Sequence, residues 1–402
     1  MSNVQNTGQV TYSKARIRLM LFALVFCVFI QGFGNFKLIP MQEAIQTFFQ
    51  IEPGAYGIMG SAQNWMMIVL SIPLAYVARK MPCKWSYAIG FCVSVLGMVI
   101  QIFATSFPLF VIGRMLEGGG FGFVHLTSGS LFLTLVPANR RAFWASVSVV
   151  ASVLPQVIIS RLGSKLLVDT GMTFQQIFMI ICGMYVVAII TWLICVPASV
   201  HVHGVADSTK PTREQTMRVY KNTSNWLIGI AFIFYNAVAV GFTSYVVRYI
   251  STKGMSLTEA AAKYSYTTLI GMVAMLVFGV IADKLGTKRK IVMIGYFVCA
   301  VALISLSVLP ANLIFIYIVL FGTFPRSIVG LTNAASSDIV EVPSDIPIAN
   351  SVRNMITQIG NVIMTIAMGF LIQYVGYSVT IYILAGGCLL GTVLWFFAKK
   401  IP

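Results

Sequence analysis

The deepest charged residues in otherwise apolar sequence are Lys37, Arg114, Glu117, Arg161, Arg326 and Arg353. Five are cations and one is an acid. A charge at the centre of a lipid-crossing helix costs about 3 kcal/mol on insertion scales, so each must be paired, hydrated or used. Arg114 and Glu117 are three residues apart, share a helix face and can neutralise each other. Arg353 is near the end of its apolar run, where its stem can snorkel to an interface. Lys37 and Arg326 have no acid near them in the chain. Lys37 follows Gln31 and Asn35, which add amides to the same helix. Arg326 follows Pro325, whose missing N–H loosens the helix and frees a carbonyl. Two unpaired cations facing one cavity from opposite halves would hold an anion, and the guanidinium fork suits a carboxylate. The expected anion-binding groups are therefore Arg326 first and Lys37 second.

Polar and aromatic residues in the same apolar runs would line such a cavity: Gln63, Asn64, His125, Tyr235, Asn236, Tyr266 and Asn361. Each taken singly is as readily an interhelical hydrogen bond. His125 is the candidate proton carrier, although a lone buried histidine is usually structural. His201 and His203 are too few for a metal site and read as solvated. The sequence holds no nucleophile–base–orienter set, phosphate-cradling glycine loop or metal-ligand cluster. No enzymatic activity, cofactor or metal is expected, and energy would come from an ion or solute gradient. The seven cysteines lie mostly in apolar runs and read as free thiols.

The elements that position these groups follow from composition. Of 402 residues, 58% are hydrophobic and 9% charged, against roughly 25% charged in a soluble domain. Apolar runs of about 20 residues recur along the chain, long enough for helices to cross a bilayer. Helices satisfy their own backbone hydrogen bonds in lipid. Twelve spans are expected, at 17–45, 54–79, 85–105, 108–134, 140–166, 173–196, 224–250, 259–283, 288–308, 311–337, 347–373 and 377–398. The first is read as a retained helix rather than a signal peptide.

The net charge of +16 is not that of a nucleic-acid binder, because the cations recur in loops on one side. With the N-terminus inside, eighteen Lys and Arg lie at inner ends and four at outer ends. That bias predicts both termini in the cytoplasm, and the cytoplasmic (inner) membrane as location. The polar stretch 201–223 divides residues 1–200 from 224–402. Two basic loops about 204 residues apart suggest a duplicated six-helix unit.

The loop after the eighth span reads Gly279-Val280-Ile281-Ala282-Asp283-Lys284-Leu285-Gly286-Thr287-Lys288-Arg289, and the fourth span carries Gly113-Arg114-Met115-Leu116-Glu117-Gly118-Gly119-Gly120. Both resemble patterns of the major facilitator superfamily. The first-half copy of the loop, Ala75 to Lys84, is degenerate, with Arg79 where the acid is expected. The resemblance implies two pseudo-symmetric six-helix bundles, an all-α membrane fold and alternating access. It also implies an inner gate in which loop acids contact the partner half. With the charges exchanged here, Arg79 or Lys80 would pair with Asp338, Glu341 and Asp345, and Asp283 with Arg140 or Arg141. The acids at 338–345 would otherwise cap the following helix.

These readings together predict a monomeric secondary transporter for a small organic anion such as a carboxylate, coupled to protons or a counter-solute. A proton-coupled drug or metabolite exporter is the alternative. It is disfavoured because Pro155 in the fifth span lacks the flanking glycines of many exporters and the cavity lacks acids. A membrane sensor that binds without transporting ranks last.

Overall fold

The computed structural model describes residues 13–135, 141–198, 213–332 other than 286, 327 and 330, and 346–398. Among them there are helices and turns and no strand. The helices are α1 (Lys14–Phe36), α2 (Gln42–Phe49), α3 (Pro53–Lys80), α4 (Cys83–Phe103), α5 (Phe107–Leu135), α6 (Arg141–Asp169) and α7 (Phe174–Cys195). The second half holds α8 (Arg213–Tyr220), α9 (Thr223–Asn236), α10 (Thr243–Ser251), α11 (Leu257–Leu285), α12 (Lys288–Val308), α13 (Ile314–Gly322) and α14 (Ile346–Phe397). A π-helical turn, Ala237–Phe242, joins α9 to α10 in one span. Non-helical Gly376, at φ 76°, divides α14 into two. With α2 and α8 set aside as short helices, the described residues hold twelve spans, six in each half.

Local chemistry explains most boundaries. α1 stops at Phe36, short of the expected 45, because the ring of Pro40 would collide with the Phe36 carbonyl. The chain turns through Ile39 N–H to Phe36 O and Met41 N–H to Leu38 O, both 3.1 Å, before α2 starts. Pro53 occupies the first turn of α3, where its missing N–H costs nothing. Thr173 and Gln176 cap α7 reciprocally. Lys253 donates to the carbonyls of Ser307 and Leu309 at the end of α12, at 3.1 and 2.7 Å. The expected linker 201–223 is not wholly irregular: α8 docks Val219 against Ala349, Val352 and Ile356.

The apolar residues point two ways, as a membrane solvent requires. Phe103, Ile194 and Val308 are exposed on the rim, while Tyr87 stacks on Trp192 at 3.9 Å inside the first half. Small residues allow close packing between helices. A methyl group on Gly97 of α4 would lie 2.5 Å from the Gly113 carbonyl of α5, so the glycine face of the fourth span does bring two backbones together.

Both halves lean on each other at the end away from the termini. A methyl group on Gly57 of α3 would lie 2.7 Å from the Thr365 carbonyl of α14. Tyr245 of α10 donates to the Pro53 carbonyl at 2.9 Å, and its ring meets Tyr56 edge-on at 5.6 Å. The Gly54 N–H donates to Gln373 Oε1 at 3.2 Å.

Candidate functional site

In the first half, Lys37, Arg114 and Glu117 form one buried cluster. Lys37 ends α1 and turns inward, with no solvent exposure. Its Nζ donates to both carboxylate oxygens of Glu117, at 2.9 and 3.0 Å. Arg114 Nη1 donates to Glu117 Oε2 at 2.8 Å and to the Gly34 carbonyl at 3.1 Å. Gln101 of α4 adds a fourth bond to Glu117 at 2.9 Å. The Phe178 ring of α7 covers the Lys37 ammonium at 4.3 Å. Gly34 is required beside it, since a methyl group there would sit 2.8 Å from Glu117 Oε1.

Arg114 and Glu117 thus pair as their spacing predicts. Lys37 corrects the expectation: it is not unpaired, because folding brings α5 against the end of α1 and supplies an acid eighty residues away. Gln31 is buried, its backbone carbonyl accepting from the Tyr185 hydroxyl at 3.2 Å, whereas Asn35 is exposed. Arg353 is a second correction. It is 3% exposed and donates to the Thr332 carbonyl at 2.8 Å, so it ties two spans together instead of snorkelling.

In the second half, Arg326 follows α13 with its stem against α11. A methyl group on Gly271 would lie 2.6 Å from its Cγ, so the glycine makes room for the side chain. The guanidinium lies 5.6 Å from the Phe321 ring. Nε and Nη2 are buried and have no hydrogen-bond partner. Tyr235 Oη, Asn236 Nδ2, Thr268 Oγ1 and Asn361 Oδ1 are likewise buried without partners. Asn361 Nδ2 donates to Gln358 at 3.0 Å.

Tyr235 and Asn236 stand directly before the π turn, a widened turn that is frequent at functional sites. Residue types gave no sign of that turn. Thr243 at its end donates to the Ala239 carbonyl at 2.8 Å and meets the Tyr264 hydroxyl at 3.0 Å.

Arg114 and Arg326 each stand on the fourth span of their half. One turn beyond Arg114 is Glu117, and one turn beyond Arg326 is Val329. The first half neutralises its arginine internally, while the second half offers no acid at that position. Comparing the two fourth spans in sequence separates Arg114, which has its own acid, from Arg326, which has none.

A further residue joins the halves. Arg161 of α6 donates from Nε to Ser265 of α11 at 2.6 Å and lies 4.5 Å over the Tyr266 ring, with Nη2 buried and unpartnered. Of the two, only Tyr266 is an expected site residue, and sequence reasoning missed the pairing because the residues lie 104 apart.

Among the inner-gate residues, Arg140, Asp338, Glu341 and Asp345 lie outside the described residues. So do the side chains of Arg79, Lys80, Arg141, Asp283 and His125, although their backbones are helical. Among the described residues no group of three or more His, Cys, Asp or Glu can hold a metal ion, and the seven cysteines are free.

Comparison with known proteins agrees with this architecture. Over 188 residues the chain is 23% identical to a probable sugar efflux transporter of Helicobacter pylori (strain HPAG1). That match spans 45% of this chain and 46% of the relative, so the chain spans about half the length of the curated relative it matches. A bacterial homolog of the human lysosomal transporter Spinster, in an inward-facing and occupied conformation, superposes with a TM-score of 0.79 at 15% identity, covering 97% of this chain and 98% of that one. The nucleoside transporter NupG superposes at 0.79 and 12% identity, covering 95% and 100%. A D-xylose–proton symporter gives 0.76 and 15%, covering 96% and 98%. At such identities the likeness shows the fold alone. The family model of the Major Facilitator Superfamily matches residues 24–341 and 273–402. Twelve spans among the described residues, in two halves closely packed at one face, and a family match across the chain make this protein a multi-pass member of the Major Facilitator Superfamily.

Proposed function

We propose that this transporter carries a small organic anion by alternating access, with Arg326 as the group that holds the negative charge. One observation carries the reading: two guanidinium nitrogens of Arg326 are buried and make no hydrogen bond. Leaving such donors unmade costs about 1–3 kcal/mol or more for a charged group, which an anion would recover. A carboxylate would accept two parallel bonds from the fork. The partnerless amides and hydroxyls at Tyr235, Asn236, Thr268 and Asn361 would take the rest of the solute. Lys37 is committed elsewhere, its charge balanced by the Glu117 carboxylate and two of its three donors bonded to it. Coupling to protons or to a counter-solute is part of the same proposal. So is an inner gate formed by Arg79, Lys80, Asp283, Arg140 and Arg141 with the acidic stretch around Glu341.

The same partnerless hydroxyls and amides favour a second reading, a neutral sugar-like solute, in keeping with the H. pylori relative's description. Uptake into proteoliposomes of carboxylates, sugars and nucleosides separates the two. Arg326→Ala should abolish uptake of the anion, and Arg326→Lys should restore only part of it because the fork is lost. Full uptake by the alanine variant, or preference for neutral sugars, would remove the anion assignment.

A further inference from the structure

A polar concavity lies on the face away from the termini, beside the contacts that close the halves there. Its volume is about 590 Å³, within the roughly 300–1,000 Å³ of small-molecule sites. Gln46, Thr47 and Glu52 line it from the first half, and Arg248, Gln373 and Tyr377 from the second. Gln46 is 8% exposed, and its Nε2 is buried without a partner. Its Oε1 is engaged, accepting from Arg248 Nη1 at 3.3 Å and from Gln42 at 3.4 Å. Arg248 Nη2 also lies 3.8 Å from Glu43 Oε1, a loose ion pair. Gln50 also lines the cavity and adopts a left-handed backbone, φ 52°, the only described non-glycine residue to do so.

The lining has one cation and one acid, so its formal charge balances. Amides, a threonine hydroxyl and a tyrosine supply donors and acceptors spaced around a cavity, with an aromatic edge. That chemistry suits neither an anion nor an organic cation. It suits a neutral polyhydroxylated solute, whose hydroxyls both donate and accept.

We propose that this vestibule binds a small neutral polyol or sugar from the side opposite the termini, and that the bound molecule holds the two halves together on that face. Both halves line it, so the site is whole only while that face is closed. A ligand that binds one conformation better shifts the population towards it. The occupant is therefore a brake on transport, separate from the solute held at Arg326.

Equilibrium dialysis of the purified transporter with radiolabelled glucose, sorbitol, sucrose and trehalose tests the idea. At least one should bind saturably. Gln46→Leu and Gln373→Leu should each weaken that binding at least about tenfold, equivalent to about 1.4 kcal/mol. Arg326→Ala should leave it intact. Hydrogen exchange on the unmodified protein should slow in peptides covering both 42–57 and 370–377 when the sugar is added. Three results overturn the proposal: no saturable binding by any of the four sugars, binding that survives both leucine variants, or binding lost with Arg326→Ala, which would put the sugar at the central site instead. Slowed exchange in only one of the two segments overturns the clamp.

Discussion

Lys37 at the end of the first span and Glu117 in the fourth are joined by two hydrogen bonds of 2.9 and 3.0 Å, in a site where both side chains are almost wholly buried. Glu117 is the sole acid between two cations, and Gln101 completes its shell. Removing it leaves both cations buried and unpaired. Glu117→Gln should therefore destabilise the protein by about 3–5 kcal/mol, the usual cost of breaking a buried pair from one side. Lys37→Met should cost less, because Arg114 and Gln101 still satisfy the acid. Unfolding in detergent measures both. Equal, small losses below about 1 kcal/mol would mean that the cluster is hydrated in solution.

Arg326 invites a constructive test. Val329 stands in the same relation to Arg326 as Glu117 to Arg114. Val329→Glu should give the arginine an internal partner and lower affinity for an anionic solute at least about tenfold, or about 1.4 kcal/mol. The readout is anion-dependent thermal stabilisation, which grows with ligand concentration over affinity. Undiminished stabilisation would count against Arg326 as the anion holder.

Closure of the halves on the face away from the termini depends on the absence of a side chain at Gly57. Gly57→Val places methyl groups against the Thr365 carbonyl and should push the population away from that closed state. Spin labels at Asp169→Cys and Asn312→Cys, both exposed positions on that face and on different halves, report the change. The distance between them should lengthen in the valine variant. An unchanged distance distribution would show that helix shifts absorb the extra volume.

Orientation in the membrane is predicted from charge alone. With eighteen cations at one set of helix ends and four at the other, the positive-inside rule places both termini and the 201–224 connection in the cytoplasm. A single cysteine at Asn312→Cys should react with an impermeant reagent added outside intact cells, and one at Gln215→Cys should not. The reverse pattern would invert every inner and outer assignment.

The sequence by itself determined the membrane class and most of the span limits that the described residues test, because a run of apolar residues long enough to cross lipid has few other stable states. It also determined the Arg114–Glu117 pair, since a spacing of three fixes a shared helix face. Tertiary structure decided the rest. Lys37 reads as free from its neighbours, and only the packing of α5 on α1 gives it Glu117. Arg353 reads as an interfacial residue, and only its neighbouring span offers the Thr332 carbonyl. Arg161 meets Ser265 and Tyr266 only because the two halves close at that end. The π turn after Asn236 has no compositional mark, because one extra residue per turn follows from how a helix fits its neighbours. Local spacing can set which charges share a helix, but which charges remain unpaired is a property of the whole bundle.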